Sequence, residues 1–275
     1  MRAKFASCNG FRTRCLEEGN GPPVVLLHGI GHSADLFYRN IDVLAEQHRV
    51  IAPDLPGHGF SDRIPLGGRA PQAVIVEHLW SLLDQLSGEP YSLVGSSYGG
   101  LIAALMTLSR PQRVNRLIIV GSGGTFQEAA EQKAALLQIL ENARGAMSTP
   151  SLQSCRARLG NICADPSSVA EEILLAQLTA YALDDRFEAF KEILAGYIAS
   201  LDSHEDRALS RLELINAPTL LITGRNDIRA TVESHKRGSQ RIPKARLVVF
   251  ENCGHLPYME HPQKFNDEAM AFLAG

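Results

Sequence analysis

The feature that most constrains the fold is a series of short, predominantly apolar runs. They are Val24-Val25-Leu26-Leu27, Arg49-Val50-Ile51-Ala52, Tyr91-Ser92-Leu93-Val94, Leu117-Ile118-Ile119-Val120, Thr219-Leu220-Leu221-Ile222 and Leu247-Val248-Val249-Phe250. Runs of this length without polar alternation fit strands buried on both faces, and they are far too short to span a bilayer. Helical spacing lies between many of them: Val74, Glu77-His78, Leu82 and Leu86 follow Pro71, a first-turn proline. The alternation predicts crossover connections and a mostly parallel central sheet with helices on both faces. Ahead of it, Lys4 to Cys8 and Phe11 to Cys15 flank Asn9-Gly10, the signature of a two-residue hairpin. Between 125 and 213 the alternation stops. Val169, Ile173, Gln177-Leu178 and Tyr181 step along one helical face, and Phe187, Phe190, Leu194 and Ile198 along another. The expected organisation is an α/β core of residues 1–124 and 214–275, interrupted by a helical insertion, 125–213.

The segment Leu93 to Ala104 reads strand, then Gly95-Ser96-Ser97-Tyr98-Gly99, then a helix rich in small residues. A serine on such a turn projects its hydroxyl above the carboxyl edge of the sheet, with a helix N-terminus aimed at developing negative charge. A Gly/Ser-rich turn is the plain alternative, and the flanking strand and helix argue against it. Ser96 occupies the position whose side chain points away from substrate. A serine needs a base and the base an orienter. His255, shortly after the last apolar run, is the base candidate. Asp227, just past the penultimate run, is the orienter, although a turn or N-cap aspartate is a common alternative. The order Ser97, Asp227, His255, each after a separate strand, fits nucleophilic catalysis. Backbone N–H groups of Ile30, in His28-Gly29-Ile30-Gly31, and of Tyr98 would form an oxyanion hole. His28 is expected to brace its loop. His48, His78, His204 and His235 are expected to be solvated, and His261 to lead into the final helix.

Composition narrows the function classes. The 275 residues carry 27 Lys+Arg against 30 Asp+Glu, a net charge of −3, with no electrostatic footprint for nucleic acid or an anionic membrane. The near-neutral balance suits an uncharged small molecule. Five scattered cysteines form no C-x-x-C pair, and neither H-E-x-x-H nor G-x-G-x-x-G occurs, so no metal or cofactor is expected. The basic start is followed by no apolar stretch, which gives a cytoplasmic expectation. The expected state is a monomer or homodimer.

With His28-Gly29-Ile30-Gly31, Asp54-Leu55-Pro56-Gly57-His58-Gly59-Phe60-Ser61, Gly95-Ser96-Ser97-Tyr98-Gly99-Gly100, Gly224-Arg225-Asn226-Asp227 and Gly254-His255, the chain resembles the α/β-hydrolase superfamily over roughly 20–122 and 214–275. The resemblance implies the α/β-hydrolase fold, a cap domain at the helical insertion, and a structural role for the loop holding Asp54 and His58. A serine at the elbow, where similar dehalogenases and epoxide hydrolases carry aspartate, implies acyl-type chemistry. The leading expectation is hydrolysis of a small carboxylic ester, lactone or thioester through an acyl-enzyme. The alternative is hydrolytic carbon–carbon cleavage of a ring meta-cleavage product, a vinylogous diketo acid. Enzymes of that kind commonly carry a Ser-Gly-Pro-Gly type loop after His-Gly and a tryptophan after the catalytic histidine. Here Ile30-Gly31-His32-Ser33 and Leu256 stand in those places. A third reading is a ligand receptor that retains the triad. Phe37, Phe126 and Leu256 are expected at the substrate pocket, with cap–core packing as the alternative for the phenylalanines. Arg39, Arg186 and Arg225 could bind a substrate carboxylate or simply be solvated.

Overall fold

The computed structural model describes residues 1–275. Eight strands form one sheet: β1 (Arg2–Cys8), β2 (Phe11–Glu18), β3 (Pro23–Leu27), β4 (Arg49–Pro53), β5 (Tyr91–Ser96), β6 (Val114–Val120), β7 (Thr219–Gly224) and β8 (Ala245–Phe250), in the spatial order β1-β2-β4-β3-β5-β6-β7-β8. The hairpin β1–β2 is antiparallel, β2 runs antiparallel to β4, and every other pairing is parallel. At the hairpin turn Asn9 and Gly10 both take positive φ, 53° and 84°, as a two-residue turn demands. β3, β5 and β7 contain no exposed residue, which is why their sequences show no polar alternation. β8 departs from that expectation. It lies at the sheet edge, and of its residues only Phe250 is fully buried.

The helices are α1 (Ile41–Leu44), α2 (Pro71–Leu86), α3 (Tyr98–Ser109), α4 (Gly123–Phe126), α5 (Ala129–Ser148), α6 (Leu152–Gly160), α7 (Glu171–Tyr181), α8 (Arg186–Ala199), α9 (Val232–Arg241), α10 (Pro257–Glu260) and α11 (Pro262–Ala274). None is long and apolar enough to cross a membrane. Helices α2, α3, α4 and α9 pack against one another as one group, and α1, α10 and α11 as another. From β3 the chain moves outward to β4, then returns past β3 to β5. That reversal opens a crevice at the carboxyl ends of β3 and β5, where α/β sheets bind ligands.

No strand forms between β6 and β7; the chain there builds α4 to α8. α5 packs on α8 and α6, and α6 on α7. Ile173, Gln177 and Tyr181 of α7 are buried, as are Phe190 and Leu194 of α8, matching the stepped pattern. These helices are tied to the loops at the sheet's carboxyl edge. The Tyr181 hydroxyl donates to the Gly31 carbonyl (2.7 Å), and the His255 N–H donates to the Ile162 carbonyl (2.7 Å).

Candidate active site

Ser97 sits between the end of β5 and the first turn of α3 with φ 55° and ψ −117°. A non-glycine residue there stores on the order of 1–3 kcal/mol of strain, so its surroundings must over-determine it. They do. The Ser97 N–H donates to Val120 O (2.8 Å), and Ser97 O accepts from the Ser122 hydroxyl (2.6 Å) and from the N–H of Gly100 (3.0 Å). A Cβ on Gly95 would overlap the Gly99 carbonyl, and one on Gly99 would overlap the Leu27 carbonyl. The glycines are thus required by backbone closing on backbone around the serine.

His255 and Asp227 come together 28 residues apart in sequence: Nδ1 of His255 donates to Asp227 Oδ2 at 2.8 Å. The other carboxylate oxygen accepts the N–H groups of Arg229 (2.8 Å) and Ala230 (3.0 Å). Burial would raise the Asp227 carboxyl, but the charge and hydrogen bond of His255, with those two N–H groups, bring it below its ordinary value. Asp227 therefore stays ionised and fixes the imidazole with Nε2 facing away from it. Ser97 and His255 line one narrow cavity, with about 20 Å³ of free volume, together with Ile30, Tyr98, Gly123, Gly124, Gln132, Leu136, Tyr197 and Arg229. The Ser97 hydroxyl forms no hydrogen bond to His255; both line this cavity, and such contacts often tighten only with substrate bound.

Ile30 and Tyr98 lie where the oxyanion hole is expected, at the wall beside Ser97. The three pocket residues do not. Phe37 is fully buried and stacks on Tyr258 (ring centroids 4.7 Å). Phe126 is buried edge-on against His235 (5.0 Å). Leu256 is buried behind His255 and is absent from the cavity wall. Each is a large apolar side chain near the sheet's carboxyl edge, and core packing claimed all three. Side chains from α5 (Gln132, Leu136, Ile139) and α8 (Tyr197) line the cavity instead.

Three of the histidines also depart from expectation, whereas His28 does not. His28 braces its loop, donating from Nδ1 to Gly29 O (2.8 Å) while Nε2 accepts the Leu55 N–H (2.9 Å). Among those expected to be solvated only His204 is exposed. His48, His78 and His235 are buried, because each finds a partner: Leu44 O, Thr13 Oγ1, and for His235 both Thr231 O and the Ser122 N–H. His235 thereby supports Ser122, which supports Ser97. Asp54 is a scaffold residue in the same sense, bonded by Arg14 and by the N–H groups of Ala34 and Phe60.

Of the arginines considered for a carboxylate, Arg225 pairs with Glu251 at the surface, Arg186 donates to Ser61 O, and Arg39 lies over the Tyr38 ring. None lines the cavity. Two others near it, Arg229 and Arg158, were missed, since an isolated arginine in sequence looks the same solvated or buried. Glu260 was missed as well. Its carboxylate accepts the N–H groups of Gly254 (2.9 Å) and Leu256 (3.1 Å), which flank His255, and of Ala164 (2.7 Å) between α6 and α7.

An elbow serine, a carboxylate-oriented histidine on a separate loop and a parallel sheet with a helical insertion define a class. The model of the α/β-hydrolase fold family matches residues 22–262, and the chain belongs to that family as a hydrolase. It is similar to the 2-hydroxymuconate semialdehyde hydrolase of Pseudomonas putida, 34% identical over 272 residues, covering 96% of this chain and 92% of the relative. It is also similar to the 2-hydroxy-6-oxononadienedioate/2-hydroxy-6-oxononatrienedioate hydrolase of Cupriavidus pinatubonensis, 32% identical and covering 96% and 91% of the two chains. Among solved structures it resembles a meta-cleavage product hydrolase from Pseudomonas fluorescens IP01, with a TM-score of 0.81, 29% identity and 98% and 97% coverage.

Proposed function

We propose that the protein is a serine hydrolase that cleaves a carbon–carbon bond in a ring meta-cleavage product, a vinylogous diketo acid. The observation that carries the reading is full-length likeness to hydrolases named for such substrates, in a chain whose Ser97 and Asp227-oriented His255 share one cavity. This favours the reading over the ester hydrolysis expected from sequence. In the proposed mechanism the dienol substrate first ketonises, making the bond to be broken one between an electrophilic carbonyl and a carbon that can leave as a stabilised carbanion. Ser97 adds to the carbonyl and His255 accepts its proton, while Asp227 holds the tautomer. The N–H groups of Ile30 and Tyr98 stabilise the oxyanion, a contribution of about 3–4 kcal/mol per donor. Collapse expels the carbanion, which takes the proton held by His255 and returns the imidazole to its neutral form. Water, deprotonated by His255, then releases the acid from Ser97. The helices of 125–213 act as the cap that walls off this cavity.

Ester hydrolysis is the second reading. Leu256 after His255 and the Ile30-Gly31-His32-Ser33 loop depart from the pattern common in carbon–carbon hydrolases and favour it. Turnover of 2-hydroxymuconate semialdehyde is measured beside p-nitrophenyl butyrate. The proposal predicts a kcat/KM at least about 100-fold higher for the semialdehyde, and at least about a 10⁴-fold drop in kcat in Ser97→Ala. Preference for the ester, or full turnover by Ser97→Ala, contradicts it.

A further inference from the structure

Arg158, on α6, is only 4% exposed, yet its guanidinium forms no ion pair and no hydrogen bond, and Nη1 is buried without a partner. The rings of Tyr181 and Phe190 present their faces to it at 5.2 Å each, cation–π contacts that bring no negative charge. Arg14 shows how this fold otherwise keeps a buried arginine, with Asp35 and Asp54 both bonded to it. A buried cation left unpaired costs several kcal/mol, so an uncompensated one is out of keeping with the rest of the interior.

A Cβ on Gly31 would overlap the Arg158 guanidinium, which places that group against the loop that carries Ile30. Arg229 stands on the loop of Asp227 and lines the Ser97 cavity, and its side chain likewise makes no ion pair or hydrogen bond. The carboxylate acting on it is Asp227, already engaged by His255 and two N–H groups. Burial and the charge of Arg158 push Arg229 down to about 10, and both arginines act on His32 and Tyr181. The two guanidinium groups therefore share one region. Gln177 holds His32 through its side-chain oxygen (3.0 Å), and its amide nitrogen is buried without a partner. Between the cap helices and the oxyanion loop there is thus a surplus of buried donors and positive charge with no free carboxylate to match it.

We propose that Arg158 and Arg229 form an anion subsite, with the Gln177 amide beside it, that binds a carboxylate of the substrate at the seam between cap helices and catalytic cavity. A planar guanidinium suits bidentate recognition of a carboxylate, and water exclusion strengthens the pairing. Because Arg158 belongs to α6 and Arg229 to the Asp227 loop, an acid group held by both ties the cap to the catalytic loop. The inference rests on the hydrolase reading and adds the residues that select an acid, against the expectation of an uncharged ligand drawn from net charge. Net charge counts every ionisable group equally and is blind to two arginines in a seam.

The test compares the p-nitrophenyl monoester of glutaric acid with neutral p-nitrophenyl butyrate in wild type, Arg158→Met, Arg229→Gln and Arg225→Gln. Expected is a wild-type preference for the acid ester that falls about 30-fold or more in the first two variants, mainly through KM, and is unchanged in Arg225→Gln. Arg158→Met is also expected to raise the urea midpoint without ligand, since it removes an uncompensated charge. An acid-to-neutral ratio unaltered by Arg158→Met and Arg229→Gln overturns the proposal, as does a lowered midpoint in Arg158→Met. Failure to turn over a ring-cleavage product would remove the carbon–carbon reading and leave this ratio to decide the subsite. If neither ester is hydrolysed, calorimetry with glutarate decides it: binding to wild type weakened by both substitutions supports the subsite, and no binding overturns it.

Discussion

At the scale of single residues, the proposed reactive set is legible because each member follows an apolar run. Ser97, Asp227 and His255 follow β5, β7 and β8, and a polar residue just past a buried strand stands at the carboxyl edge of the sheet. Glu260, Arg158 and Arg229 lie beyond reach for the converse reason: their roles depend on what a distant loop or helix brings to them. Glu260 makes this testable. Three N–H groups on two separate segments converge on its carboxylate, so Glu260→Ala leaves all three short of an acceptor. The expected cost is about 2–4 kcal/mol in urea unfolding, with kcat falling more than KM rises, because the His255 loop loses its clasp while the cavity wall from α5 is untouched. Destabilisation with an unaltered kcat would show that Glu260 supports the fold and not the position of His255.

Among the elements, the strands and α2 are legible from periodicity and punctuation, and the fates of Phe37, Phe126 and Leu256 are not. Apolar runs report burial, but not whether a large side chain faces the core or a cavity, since both environments select the same residue types. Glycine gives a sharper case, because identical residues carry opposite expectations. Gly99 on α3 lies where a Cβ would overlap the Leu27 carbonyl of β3, so Gly99→Ala is expected to cost about 3 kcal/mol and to displace the helix start beside Ser97. Gly145 on α5 has nothing within 4 Å of the Cβ position, and Gly145→Ala is expected to stabilise by about 0.5–1 kcal/mol. Chemical unfolding of both variants checks the pair. Equal effects of the same sign would contradict the tight approach of α3 to β3. On α7, Tyr181→Phe removes the bond to the Gly31 carbonyl, and a loss of about 1 kcal/mol is expected in the same measurement; no loss would mean that the bond does not secure α7 to that loop.

For the whole molecule, the net charge of −3 says little about acid stability, whereas the buried imidazoles say a good deal. Burial lowers His28 and His235 to about 4 and His58 to about 3, against 6.5 for a free imidazole. In the unfolded chain all three take up protons as pH falls through 6.5, while the folded protein does not until pH nears 4. Their contribution is therefore full above about pH 6.5 and is lost on descending toward pH 4, at up to about 4 kcal/mol per pH unit for three protons. A urea midpoint that stays level between pH 7 and pH 5 would contradict it. The division between a mostly parallel sheet and the strand-free helical stretch between β6 and β7 is visible in the sequence as the place where apolar runs cease. What composition hides is how that helical stretch meets the core, through Tyr181, Ile162, Ala164 and the unpaired Arg158.

The central claim is that Ser97, activated by His255, is the group that attacks the substrate carbonyl. Incubation with a p-nitrophenyl alkylphosphonate, followed by peptide mass spectrometry, tests it most directly. The expected result is one phosphonyl adduct per chain, on Ser97, formed in step with loss of hydrolysis and abolished by His255→Ala. An adduct on Ser96 instead, or hydrolysis that persists in fully labelled protein, would contradict it.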